Sequence, residues 1–127
     1  LPGVPVEGQP MRLGMLSPDG LDLLARNPGI TGWVYTATLL GGYDRADRPL
    51  SAEYRHPGND RRSAALTRVA DARSMRRGQI VLAWLRSSTP ALVPIIGVST
   101  VAQLEDSWQG VSTQLDADEV LDLDQAG

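Results

Sequence analysis

The sequence predicts an α/β protein in which parallel strands alternate with helices. Two short apolar runs rich in β-branched residues, Ile30 to Thr38 and Leu92 to Ile96, read as strands. Two helix-like segments lie between them, and strands joined through helices pair in parallel. The second run then passes through Gly97 into a helix start at Ser99 or Thr100, a βα junction where free backbone N–H groups and the helix dipole favour an anion.

Residues Leu1 to Pro10 hold three prolines and two glycines and read as an irregular lead-in, extending to about Met15. Ser17-Pro18-Asp19-Gly20 starts the first helix: Ser17 caps, Pro18 takes the first helical position and Asp19 complements the dipole. Leu21, Leu23 and Leu24 give this helix an apolar face, and Asn27-Pro28-Gly29 stops it. The Ile30 to Thr38 strand follows and breaks at Gly41-Gly42. A long loop runs from about Tyr43 to Gly58, and loops of this length are often functional.

Asn59 or Asp60 caps the next helix, about Arg61 to Arg73, with Ala65, Leu66, Val69 and Ala70 on one side. Arg61, Arg62 and Arg68 fall elsewhere and form a solvated face. The helix from about Gly78 to Arg86 is apolar almost all round, which predicts burial on several sides. Thr89-Pro90 turns the chain into the second strand. Thr100 with Gln103 fits a capping box for the helix from Val101 to Val111. Asp116 with Glu119 fits another, for a last helix contacting the core through Val120, Leu121 and Leu123. Trp33, Trp84 and Trp108 read as core anchors. The 127 residues form a single domain, but two parallel strands leave unpaired edges and do not make a stable sheet alone. The chain reads as part of something larger.

Composition excludes several chemistries. With 0 Cys there is no disulfide, thiol nucleophile or cysteine zinc site, which suits the cytoplasm. A single histidine, His56, rules out a histidine-rich metal site within one chain. All 12 basic residues are arginine, so every lysine-dependent mechanism is absent. A net charge of -3 argues against a general nucleic-acid binder. No apolar run approaches the ~20 residues of a membrane helix, and no export signal is visible. The aspartates at 116, 118, 122 and 124 lack the glycine and terminal glutamate of a calcium loop.

Gln79-Ile80-Val81-Leu82-Ala83-Trp84-Leu85, then Val93 to Ser99, then Ala102-Gln103-Leu104-Glu105-Asp106 together resemble the C-terminal part of an aldo/keto reductase. Tyr35-Thr36-Ala37-Thr38-Leu39 resembles that family's Tyr-Ser-Pro-Leu segment after the seventh barrel strand. Pro49-Leu50 and Glu53 to Gly58 resemble a loop of certain bacterial members. The resemblance runs from about Asp19 to the end. It implies the last two or three βα units of a (β/α) barrel, completed by oligomerisation or by a partner chain. It also implies NADP as cofactor, with Tyr35 stacking on the nicotinamide and Thr36 to Gly42 beside the pyrophosphate. Gly97, Val98 and Ser99 would lie near the adenosine phosphate. Gln103 stands where some members have a phosphate-gripping arginine, and Asp106-Ser107 stands for the family's adenine-side Glu-Asn.

The family's catalytic Asp, Tyr, Lys and His come from earlier strands, which have no counterpart here. A self-sufficient NADPH-dependent reductase is therefore not expected. Three functions remain. One is non-redox chemistry of cyclase or isomerase type on a small molecule, with Tyr35, Asp44, Tyr54 and His56 as pocket groups, Asp44 and His56 serving as acid or base. Another is the NADPH-binding part of a reductase completed by another chain. The last is a non-catalytic remnant or interaction module.

Overall fold

The structure is a computed structural model and describes residues 16–49, 54 and 57–126. In chain order it contains α1 (Pro18–Arg26), β1 (Gly32–Tyr35), a single 3-10 turn (Leu39–Gly41), α2 (Pro57–Arg73), α3 (Arg77–Ser87), β2 (Leu92–Ile95), α4 (Val101–Ser112) and α5 (Ala117–Gln125). The lead-in and most of the 50–56 segment, His56 included, lie outside the described residues.

β1 and β2 pair in parallel, with Gly32 opposite Leu92, Trp33 opposite Val93, Val34 opposite Pro94 and Tyr35 opposite Ile95. Strand side chains alternate between faces. Leu92 is buried, Val34 packs against the core, and a Cβ on Gly32 would fall 2.6 Å from Leu24 and 2.7 Å from Leu92. The helices therefore cover the face bearing Gly32, Val34 and Leu92. Trp33, Tyr35, Val93 and Ile95 share the other face.

The core forms around α3, whose Gly78 to Ala83 and Leu85 are all buried, as its all-round apolar sequence predicts. Ala65, Leu66, Val69 and Ala70 of α2 close one side of it. α4 closes another at very short range, because a Cβ on Gly110 would sit 3.0 Å from both Cα and O of Gln79. Gln79 is the one buried polar side chain among the described residues, and it is fully engaged. Its amide donates to the Asp106 carbonyl (3.1 Å), the Asp106 carboxylate (3.0 Å) and Gln109 (3.0 Å), while its oxygen accepts from Arg76 N–H (2.9 Å). Arg76 and Asp106 add an ion pair at 2.8 Å. α5 lies along α2 through paired contacts of Arg73 with Glu119 and of Arg68 with Asp122. The Trp84 indole N–H donates to Asp124 at 2.8 Å.

Local sequence signals account for most helix ends. Ser17 accepts from Gly20 N–H, Asn27 ends α1, and Asp116 with Glu119 forms the reciprocal box of α5. Several expectations are corrected. β1 ends at Tyr35 rather than Thr38, because Thr36, Leu39 and Leu40 take positive φ (56°, 49° and 57°) and turn the backbone out of the sheet. α2 starts at Pro57, so Asn59 and Asp60 lie inside it rather than at its cap position, and the Asn59 amide donates to the Tyr54 carbonyl. The Thr100 hydroxyl accepts from Gln103 N–H, but the Gln103 oxygen accepts from Ser99 N–H, so the box is not reciprocal. Trp33 and Trp108 are 66% and 69% exposed, leaving Trp84 as the only tryptophan packed against the core. Leu121, Leu21 and Leu23 are exposed, so α5 reaches the core through Val120 and Leu123, and α1 through Leu24. Arg68 is ion-paired rather than merely solvated.

Candidate functional site

Parallel pairing brings the C-terminal ends of β1 and β2 to the same end of the sheet. Tyr35 and Ile95 are register partners, so Thr36 and Ile96 leave the sheet together. The chain after β2 passes through Gly97, Val98 and Ser99 to the Thr100 cap of α4, all exposed. Six residues predicted to touch a cofactor, Tyr35, Thr36, Gly97, Val98, Ser99 and Gln103, thus gather at one end of the fold. The other two do not join them in the same way. Asp106 directs its carboxylate to Arg76 and Gln79 of α3, and Ser107 is half-buried one turn along α4.

The α4 N-terminus offers backbone N–H groups without intrahelical partners. Thr100 takes one of them and Gln103 takes the N–H of Ser99 just before the helix. The group of Gln103 engaged at this junction is its side-chain oxygen. A hollow beside Thr36 is lined by Leu39, Gly42, Arg48 and Tyr54, with Arg48 its basic member among the described residues.

Next to that hollow, sharing Leu39 and Tyr54, a cavity of about 170 Å³ opens between the segment after β1 and helices α2, α3 and α5. Tyr43, Tyr54, Arg62, Leu66, Trp84 and Asp124 are among its walls. Burial, and secondarily the neighbouring Tyr54, pushes the Tyr43 phenol up to about 12. Both factors disfavour the phenolate, so Tyr43 acts as a neutral hydroxyl at ordinary pH.

That shift has a measurable consequence. An unfolded tyrosine ionises near 10 and the folded one near 12, so between those values the unfolded state holds fewer protons. Stability from Tyr43 is fully present below pH ~10 and is lost as pH rises towards ~12, by at most ~2–3 kcal/mol. Urea titrations at pH 8 to 11 should show this alkaline loss reduced in Tyr43→Phe. An identical alkaline slope in the variant would show that Tyr43 does not cause it.

The proposed acid or base residues are dispersed. Asp44 accepts from the backbone N–H groups of Arg77 (3.0 Å) and Gly78 (2.9 Å), capping α3 from 33 positions away. Gly78 permits this, since a Cβ there would lie 2.7 Å from the Asp44 carboxylate. Tyr54 lines the cavity, Tyr35 stands on the open sheet face at 54% exposure, and His56 lies outside the described residues. No sequence motif marks the α3 cap by Asp44. Its only signal was an aspartate in a Gly-rich turn, which has many uses. Arg48 and Tyr43 were equally unmarked. No cluster of three or more metal-ligating side chains occurs among the described residues, and no described helix is long and apolar enough to cross a membrane.

A strand end, a glycine and a capped helix start form a layout used by (β/α) proteins for phosphorylated ligands. Comparison with known proteins makes the class specific: the profile of the aldo/keto reductase family matches residues 17–127, and the chain belongs to that family. Among solved structures it is similar to a thermostable aldo-keto reductase, Tm1743, crystallised with the inhibitor epalrestat. The TM-score is 0.63 at 23% identity, covering 85% of this chain and 33% of that one. That likeness concerns the fold, and the chain spans about a third of the reductase's length. A search of curated protein sequences returned no match.

Proposed function

We propose that this chain forms the nucleotide-binding side of an aldo/keto reductase barrel and performs no carbonyl reduction by itself. The observation that carries the reading is the convergence of Tyr35, Thr36, Gly97, Ser99 and the α4 N-terminus at one end of the parallel pair. Family membership supplies NADP as the ligand class, and such a cofactor would contribute a hydride donor when bound.

The residues present fit the phosphates of a dinucleotide. Backbone N–H groups at the α4 start and the Arg48 guanidinium beside Thr36 supply positive potential. They fit a 2′-phosphate poorly. No basic residue lies in the first turn of α4, and Gln103 offers a neutral amide where charge would be required. The expected preference is therefore small, with NADPH binding no better than NADH. Tyr35 offers an exposed aromatic face for stacking, while Ser99 and Thr100 orient the loop through their bonds to Gln103. The complete absence of lysine removes the usual proton-transfer partner of the catalytic tyrosine, which is why reduction is assigned to the barrel as a whole.

Thermal unfolding with NADH, with NADPH and without ligand tests this. Either dinucleotide at a hundred times its dissociation constant should add ~2.7 kcal/mol of stability. The purified chain should consume no NADPH with aldehyde substrates. Absence of stabilisation by millimolar dinucleotide would remove the binding role, and turnover by the isolated chain would remove its catalytic limit. The cyclase or isomerase reading is less favoured, since Asp44 spends its carboxylate on two backbone N–H groups of α3.

A further inference from the structure

Helices α2, α3 and α5 do not close completely on one another. With the segment after β1 they bound the cavity of about 170 Å³ described above. None of its described walls comes from β2, α4 or the Gly97 to Ser99 turn, so it is separate from the residues gathered at the strand ends. Leu39 and Tyr54 are the described walls it shares with the hollow beside Thr36. It lies on the helix side of the β pair, whereas Tyr35 and Ile95 share the opposite face.

The walls define what fits. Leu66, Val81 and Leu123 are aliphatic, and Tyr43, Tyr54 and Trp84 add three rings. Apolar walls with a few polar groups are the usual character of a small-molecule site. The volume is close to the ~150 Å³ that holds one benzene molecule in an engineered cavity, which is room for a single ring. Aromatic walls favour an aromatic occupant through offset and edge-to-face contacts. The polar groups narrow the class further. The Trp84 indole N–H is already engaged by Asp124 at 2.8 Å. The Tyr43 hydroxyl, by contrast, makes no hydrogen bond among the described residues, although burial holds its proton firmly. A buried hydroxyl without a partner is costly, and it can both donate and accept. Arg62 and Asp124 bring opposite charges to the wall, so a ligand of either sign meets one like charge.

We infer that this cavity binds a small neutral aromatic molecule of one ring that carries a hydroxyl or carbonyl group. The ring occupies the space among Leu66, Val81 and Trp84, and its substituent exchanges a hydrogen bond with the Tyr43 hydroxyl. Binding is non-covalent and involves no residue placed at the dinucleotide site.

The test contains no nucleotide, so its outcome is independent of the dinucleotide reading. It uses the 127-residue chain carrying Trp33→Phe and Trp108→Phe, both at exposed sites, so that Trp84 supplies the single indole N–H resonance. Phenol is the probe, with toluene as the same ring lacking a polar group and benzoate as a charged one. The expected result is a saturable, one-site shift of the Trp84 indole resonance at millimolar phenol. Tyr43→Phe should weaken phenol several-fold and leave toluene unchanged, as loss of one hydrogen bond requires. Ser63→Phe, at an exposed position of α2 on the cavity wall, should weaken both several-fold by filling the space while the amide spectrum stays dispersed. Benzoate should bind more weakly than phenol. The proposal is overturned if the indole resonance does not respond saturably to phenol, or if Ser63→Phe leaves that response intact. It is equally overturned if Tyr43→Phe binds phenol as tightly as before, or if benzoate binds more tightly than phenol.

Discussion

Ile80→Ala should lower the unfolding free energy by about 2–5 kcal/mol, the range for emptying a fully buried aliphatic site. Ile80 is 0% exposed at the centre of α3 and packs in the cluster that joins Leu24, Leu66, Val69 and Leu92. It therefore links α1, α2, α3 and β2, and the void left by truncation has walls on several elements that cannot all collapse into it. Natural domains hold only ~5–15 kcal/mol in total, so this one substitution removes a large share. Urea unfolding monitored by far-ultraviolet circular dichroism measures it, with Ile80→Val expected to cost ~0.5–1.5 kcal/mol and Leu121→Ala, at an exposed site, within ~0.5. Equal effects of Ile80→Ala and Leu121→Ala would contradict the placement of the core.

Gly110→Val is the second large expected effect. The added Cβ would lie 3.0 Å from Cα and O of Gln79 and 3.2 Å from Cβ of Leu82. The crowded atoms are mostly backbone and cannot rotate away, so α3 and α4 must separate. Overpacking of this kind costs ~1–3 kcal/mol, and separation would also stretch the hydrogen bonds from Gln79 to Asp106 and Gln109. The discriminating variant is Gly110→Ala. Intrinsic helix propensity alone would make alanine stabilising by ~1 kcal/mol, whereas the close approach makes it destabilising. A raised urea midpoint in Gly110→Ala would refute the tight contact.

Much of the architecture was legible in the sequence, for identifiable reasons. Ser17, Asn27 and Asp116 mark helix ends through local hydrogen bonds that need no tertiary context. The continuous apolar character of α3 announces a helix buried on several sides. The two strands were visible in their β-branched runs, and their parallel pairing followed from the helices between them. Long-range events were not legible. Asp44 caps a helix 33 residues away, and nothing in its neighbourhood distinguishes that role from a turn aspartate. Trp33 and Trp108 mislead because a large apolar side chain signals burial somewhere, without saying whether the covering atoms belong to the same segment. The positive φ values at Thr36, Leu39 and Leu40 carry no sequence signal for a related reason. Non-glycine residues adopt that region only when surrounding structure enforces it.

For the candidate site, the grouping of Tyr35 and Thr36 with Gly97 and Ser99 depended on strand order, which spacing and family likeness both indicated. Arg48 and Tyr43 sit in a loop without periodicity, where sequence carries little information about direction. Asp106 stands at the position of the family's adenine-side pair, while its carboxylate serves the α3–α4 contact.

The parallel pairing of residues 32–35 with 92–95 also sets a timetable. Bringing the two strands together closes a loop of about sixty residues, at an entropic cost of roughly 3–4 kcal/mol. The helical contacts between α2, α3 and α4 bridge far shorter separations, so they should form first and shorten the effective loop. Folding then ends with β1 joining β2 on a platform already built by α3. Stopped-flow refolding should find that Val34→Ala mainly accelerates unfolding, while Ile80→Ala mainly slows folding.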